Sequence, residues 1–298
     1  MQQIKSILLG VDFSPSSTAA LKQAVRIATR HRASVRALHI VDTVVVTDTE
    51  FAMASFRVNV RQAMVEDAQR SWARFSGEAV GPAAAANVPF EVELGNPVMA
   101  MVDRVRAHHT DLLIAGMQGS SAATGAGTIA AGLVRRAPAT TLLVPAGQHG
   151  PFKAVVAGVD FSDTSAKALG AAHKFAKEEG AGLHIVHVHS GPWRRLFAGP
   201  EESTSQAQAQ YADALQRKLE AFAGKLLHGS GCKPVYRVID ASSHGHGLTG
   251  YCREIGADLV VLGTLGRTNL RDMVMGSTAE RVVRDATCSV LAVKPDDN

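Results

Sequence analysis

The chain repeats itself, and no other feature limits its fold as strongly. The stretch ILLGVDFSPSSTAALKQAVRIA, from Ile7, returns as VVAGVDFSDTSAKALGAAHKFA, from Val155. Further on, DLLIAGMQG from Asp111 returns as DLVVLGTLG from Asp258. The register hardly drifts between the two echoes, so the 298 residues are two copies of one unit of ordinary domain size. The join falls in PAGQHGPFK, rich in Gly and Pro. The expected domains are 1–148 and 149–298.

Each copy holds five short apolar runs. These are IKSILLGVD, SVRALHIVD, VPFEVELG, DLLIAG and TTLLVP, then KAVVAGVD, AGLHIVHVH, PVYRVID, DLVVLG and CSVLAVK. Near-continuous, β-branched runs suit strands covered on both faces. Amphipathic stretches separate them, so each copy is expected to be an α/β domain with an open, mostly parallel five-stranded sheet and helices on both faces. Asp48 to Glu78 and Gly199 to His228 read as long helical stretches.

An open sheet of this kind takes ligands beyond the carboxyl ends of its strands. Here those ends carry GVDFS after the first strand and GTLGRTNLRDMVMGST after the fourth. The second loop reads G-x2-G-x9-G-S: Gly263, Gly266, Gly276, Ser277. Glycine tolerates backbone with positive φ and lets a ligand come close. A helix starting at Ser277 would turn free N–H groups and a positive dipole end toward a phosphate. The Ser277 and Thr278 hydroxyls add donors, and Arg267 and Arg271 add charge. Asp160, an acceptor only, suits a ribose hydroxyl or an adenine amine.

This combination resembles the ATP-binding type of the universal stress protein family, over nearly the whole chain and twice. The resemblance implies a sheet order of 3-2-1-4-5, with adenosine against the ends of strands one, two and four and phosphates in the glycine loop, often with a divalent ion such as Mg²⁺ or Mn²⁺. It carries over Gly158, Asp160, Val188, Leu262, Gly263, Gly266, Gly276, Ser277 and Thr278. The first copy departs from the pattern. Gly116 and Gly119 match, but seven residues rather than nine precede Gly127 and Thr128, and no arginine remains. Asp12 and Val41 persist, so an adenosine pocket with an altered phosphate grip is expected there. The resemblance also implies that the apolar last strands pair the two copies as a pseudo-dimer within one chain, with a homodimer of the whole chain as a further option.

Other signals read more plainly. GHGLTG, Gly245 to Gly250, has the G-x-G-x-x-G form but follows the third strand and lacks the expected acidic residue further on, so it is not a dinucleotide site. His187 and His189 end strand two, and His244 and His246 follow strand three; together they are candidate Zn²⁺ ligands. Aromatics are only 5% and the net charge of +4 is scattered, which disfavours nucleic acid. No apolar run is long enough to cross a bilayer, and three cysteines without a CxxC fit a reducing cytoplasm. SGPWRRLFAGP, Ser190 to Pro200, is a candidate lid or protein-partner contact. The leading expectation is a cytoplasmic stress-response regulator that holds ATP in its second domain. The alternatives are an ATP-using enzyme, with slow hydrolysis or phosphoryl or adenylyl transfer, and a nucleotide-free interaction or zinc-binding module.

Overall fold

The computed structural model describes residues 3–56, 58–119, 126–191, 201–266 and 275–295. The chain divides into two compact units, 2–150 and 151–298.

The first unit runs β1 (Ser6–Gly10), α1 (Pro15–His31), β2 (Ser34–Asp42), α2 (Thr43–Ala52), α3 (Val60–Val80), α4 (Pro82–Ala85), β3 (Phe90–Gly95), α5 (Pro97–Ala107), β4 (Leu112–Gly116), α6 (Thr128–Arg136) and β5 (Thr140–Val144). Its strands are parallel, in the order β3-β2-β1-β4-β5. The second unit runs β6 (Ala154–Gly158), α7 (Asp163–Glu179), β7 (Gly182–His189), α8 (Glu201–Leu227), β8 (Val235–Asp240), α9 (His244–Glu254), β9 (Leu259–Gly263), α10 (Ser277–Asp285) and β10 (Ser289–Val293). Its order is β8-β7-β6-β9-β10, again parallel. Both are the 3-2-1-4-5 arrangement. The central strands are apolar throughout because helices cover both faces: Leu112, Leu113 and Ile114, like Leu259, Val260 and Val261, have no exposed surface.

Small devices recur in both units. Asp111 Oδ2 accepts from the backbone N–H groups of Lys5 and Ser6, and Asp258 Oδ2 accepts from those of Lys153 and Ala154. One carboxylate thus starts the first strand of each sheet. Ser14 caps α1 by accepting from Ser17 N, and Ser162 caps α7 by accepting from Ser165 N. The residue before each cap is a phenylalanine in left-handed backbone, Phe13 at φ 60° and Phe161 at φ 66°. That conformation costs an L-residue roughly 1–2 kcal/mol. Ring packing offsets it. Phe13 lies against His39 and Phe75, and Phe161 lies against His187 and Phe222.

A third contact is conserved in place but reversed in composition. α5 packs on α6 where Gly132 faces Val98; a Cβ on Gly132 would sit 2.9 Å from Val98 Cγ2. In the second unit Gly245, on α9, faces Arg281 on α10, and its Cβ would sit 2.5 Å from Arg281 Cβ. The glycine has changed helices while the close approach remains.

The stretch Asp48 to Glu78 is not one helix. α2 stops at Ala52, and α3 starts afresh at Val60 behind Asn59, whose side chain accepts from Gln62 N. An Asx-type cap there competes with helix continuation. Ser190 to Pro200 falls almost wholly outside the described residues.

Candidate functional site

The site is assembled where β1 and β4, or β6 and β9, end side by side. In the second unit the chain leaves β6 through Asp160. Its Oδ1 accepts from Ser162 N at 3.0 Å and Ser162 Oγ at 2.6 Å. In the first unit Asp12 Oδ1 accepts from Ser14 N at 3.0 Å and Ser17 Oγ at 2.6 Å. Each helix start therefore holds the carboxylate by one oxygen. Oδ2 of each points toward the second glycine of the facing loop: a Cβ on Gly119 would stand 3.5 Å from Asp12 Oδ2, and one on Gly266 would stand 2.6 Å from Asp160 Oδ2.

The other motif glycines are also explained by close approach. A Cβ on Gly116 would meet Ser16 Oγ at 2.8 Å, and one on Gly263 would meet Thr164 Cγ2 at 2.7 Å. Those positions bring β4 and β9 onto the first turns of α1 and α7. Gly158 has its Cβ position 2.8 Å from Leu248 Cδ2 and 3.7 Å from Leu262 Cβ, so Leu262 helps form the floor. None of these glycines has positive φ; the expected left-handed role is replaced by a need for space.

After the loop, Gly276 N donates to Thr264 O at 2.7 Å and Gly127 N to Met117 O at 2.9 Å. These bonds anchor the starts of α10 and α6. Gly276 and Gly127 are the N-caps, and neither helix has a side-chain cap. Among the described residues no side-chain cap takes up the N–H groups of the first turns, at Ser277 and Thr278 or at Thr128 and Ile129. A Cβ on Gly276 would stand 3.8 Å from Gly266 N, which puts the two loop glycines side by side at this helix end. Arg267, the expected cation, lies outside the described residues.

One assignment needs correction. His39 Nδ1 bonds Val11 O and His187 Nδ1 bonds Val159 O, each at 2.8 Å. These two histidines are equivalent, so Val188 corresponds to Ile40, and Val41 corresponds to His189. From β2, His39 and Ile40 line the first-unit cleft, while Val41 is buried and does not line it.

The four histidines do not make a metal centre. Among the described residues no group of three or more His, Cys, Asp or Glu gathers around a common point. His187 is committed to Val159 O and to the Phe161 ring. His189 lies against His187 and Tyr211, and His246 pairs with Asp285 at 3.1 Å. Burial pulls His187 below its ordinary pKa, with nearby His189, His244 and Lys218 acting the same way and the Val159 bond opposing. The GHGLTG segment, Gly245 to Gly250, lies within α9. Its Gly245 packs on Arg281 and its Gly247 on Val188 and Ala241, so these glycines serve helix packing.

In the first unit the cleft is a cavity of about 330 Å³ lined by Asp12, Ile40, Met101, Gly119, Gly127 and Ile129 among others. Sequence reasoning did not single out Ile40, Met101 or Ile129. Their signal lay in the repeat itself, because they stand where the second unit has Val188, Leu248 and Thr278.

Comparison with known proteins agrees with this architecture. The model of the Universal stress protein family matches residues 3–145 and again 151–294. A universal stress protein of Mycolicibacterium smegmatis is 26% identical over 307 residues, covering 97% of each chain. Universal stress protein YxiE of Bacillus subtilis is 28% identical over 149 residues, 48% of this chain and 99% of its own length. The crystal structure of a universal stress protein from Archaeoglobus fulgidus shares the fold, with a TM-score of 0.67 at 18% identity, covering 98% of this chain and 97% of that one.

Proposed function

The chain belongs to the universal stress protein family, as two tandem domains, and from that premise we propose that its second domain binds ATP and acts as a nucleotide-responsive regulator. The observation that carries this reading is the meeting of three groups: the uncapped start of α10 at Gly276, the backbone of Gly266, and the carboxylate of Asp160. Free N–H groups at a helix start favour phosphate oxygens. A carboxylate accepts hydrogen bonds from ribose hydroxyls and repels phosphate, so the nucleoside and phosphate ends are oriented apart. Leu262 and Val188 offer the apolar contacts that a base needs.

The lack of side chains at Gly266 and Gly276 lets the loop backbone and the start of α10 approach each other beside Asp160, where backbone N–H groups would meet the phosphates. Ser277 and Thr278 would hold the phosphates, and a divalent ion would ride on the phosphate oxygens rather than in a protein cage. Ser162 Oγ donates to Asp160 Oδ1 and accepts from Ser165 N, so this hydroxyl caps α7 and sets the orientation of the carboxylate.

The test is calorimetric titration of the full chain with Mg²⁺–ATP. The Ser277→Asp variant keeps the helix start favourable but sets a negative charge against the phosphates. Its affinity should fall at least about tenfold, equivalent to roughly 1.4 kcal/mol. Undiminished affinity in that variant removes the assignment.

A further inference from the structure

We infer that Cys252 and Cys288 form a redox-active dithiol in the second domain, closed to a disulfide by a small hydroperoxide. The pair lies apart from the cleft at the carboxyl ends of the strands, and its chemistry is independent of any nucleotide there.

Position comes first. Cys252 stands in the last turn of α9, and Cys288 immediately precedes β10. Two backbone bonds bring these ends together. Ala257 N donates to Cys252 O at 2.8 Å, and Ser289 N donates to Asp258 O at 3.0 Å. The Cys252 thiol donates a hydrogen bond to the Cys288 sulfur. A disulfide requires side chains that face each other and sulfurs that close to about 2.05 Å. Thiols already joined by a hydrogen bond meet the first condition, and only the approach of the sulfurs remains.

Packing alone does not call for two thiols, as the repeat shows. Val105 O accepts from Thr110 N as Cys252 O accepts from Ala257 N. Thr140 pairs with Leu112 as Ser289 pairs with Leu259. Val105 and Ala139 are therefore the first-domain counterparts of Cys252 and Cys288, and both are buried. An apolar couple fills this place in one domain; two thiols in contact fill it in the other. Nor do they belong to a metal centre. Structural zinc takes four ligands, and among the described residues no third His, Cys, Asp or Glu joins these two.

The hydrogen bond divides the roles. Donation from Cys252 pulls the Cys288 thiol below its ordinary pKa, against the effect of burial, and pushes that of Cys252 up. Cys288 is thus the attacking thiolate. Its sulfur attacks one peroxide oxygen, the O–O bond breaks, and the departing hydroxide takes the proton released by Cys288 and leaves as water. The Cys252 thiol then attacks the sulfenic sulfur. The S–S bond forms, the S–O bond breaks, and hydroxide leaves with the Cys252 proton as a second water. The two cysteines lose two electrons and the peroxide gains them. Both thiols are nearly covered, at 4% and 6% exposure, but Arg253, Glu254 and Thr287 beside them are exposed. A small oxidant needs only local opening of the end of α9 to reach the pair.

The experiment is peptide mapping by mass spectrometry of the reduced full chain after treatment with hydrogen peroxide, with free thiols alkylated before digestion. A linked Cys252–Cys288 peptide should accumulate, and dithiothreitol should reverse it. Cys232, whose thiol burial pushes up, should react at least about tenfold more slowly. Cys252→Val and Cys288→Ala install the residues of the first domain. In Cys252→Val, Cys288 should stop at the sulfenic acid, trapped by dimedone; in Cys288→Ala, Cys252 should remain a thiol. Three results overturn the inference: no Cys252–Cys288 link in the folded chain, a link that forms only in urea, or as much sulfenic acid on Cys252 in Cys288→Ala as on Cys288 in Cys252→Val. The first two are read on the parent chain and stand whether or not the variants fold. None of the three touches the ATP titration, so the two readings fail separately.

Discussion

Asp160 Oδ2 lies 2.6 Å from the point a Cβ on Gly266 would occupy, whereas Asp12 Oδ2 lies 3.5 Å from the matching point on Gly119. The same substitution should therefore have different effects in the two domains. Gly266→Ala must push the Asp160 carboxylate aside and should weaken ATP binding at least about tenfold. Gly119→Ala meets only ordinary van der Waals contact and should leave the fold unchanged. Calorimetry and thermal unfolding of both variants check the contrast.

Ser162 holds two things at once, the start of α7 and the orientation of Asp160. Ser162→Ala should cost about 1 kcal/mol of stability, the usual worth of a lost N-cap. It should also weaken ATP binding, because the carboxylate loses its hydroxyl donor. Ser162→Thr should restore most of both. Denaturant unfolding and nucleotide titration measure the two effects separately.

Within one helix, two glycines should respond in opposite senses. Gly245→Ala places a methyl 2.5 Å from Arg281 Cβ and should destabilise by roughly 1–3 kcal/mol. Gly250 has nothing within 4 Å of its Cβ position, so Gly250→Ala should stabilise by about 0.5–1 kcal/mol through helix propensity. Urea unfolding of the two variants should show the opposite signs.

His187 adds acid sensitivity to the second domain. Its pKa is lowered in the folded protein, chiefly by burial. The unfolded chain therefore takes up a proton at higher pH than the folded one. The stability associated with this group is complete above the ordinary value of 6.5 and is lost as pH falls through the lower folded value. His187→Gln keeps an amide donor for Val159 O without the titration. It should lose less stability than the parent chain when thermal unfolding is compared above and below that window.

Much of this was legible because the chain states its plan twice. GVDFS and the DLLIAG/DLVVLG pair located the first and fourth strands, and with them the crevice that the site occupies. The purpose of the glycines was not legible. Composition suggests positive φ, but Gly116, Gly263 and Gly266 are required by atoms from distant segments: Ser16, Thr164 and Asp160. At Val41 the miss was one of position along β2: the cleft takes His39 and Ile40, and the apolar run carries no mark of where it ends. The break after α2 depended on one local hydrogen bond at Asn59, too small a signal within a helix-friendly stretch. The proposed histidine cluster overlooked the carbonyl, ring and carboxylate partners that these side chains find on other elements.

The reversed pairing of Val98 with Gly132 and Gly245 with Arg281 has a consequence for how freely the halves can be interchanged. Grafting α9 alone into the first half would set glycine opposite glycine and leave a gap. Grafting α5 alone into the second would drive valine into the stem of an arginine. Each half tolerates only its own couple, so the transferable module is the pair of helices.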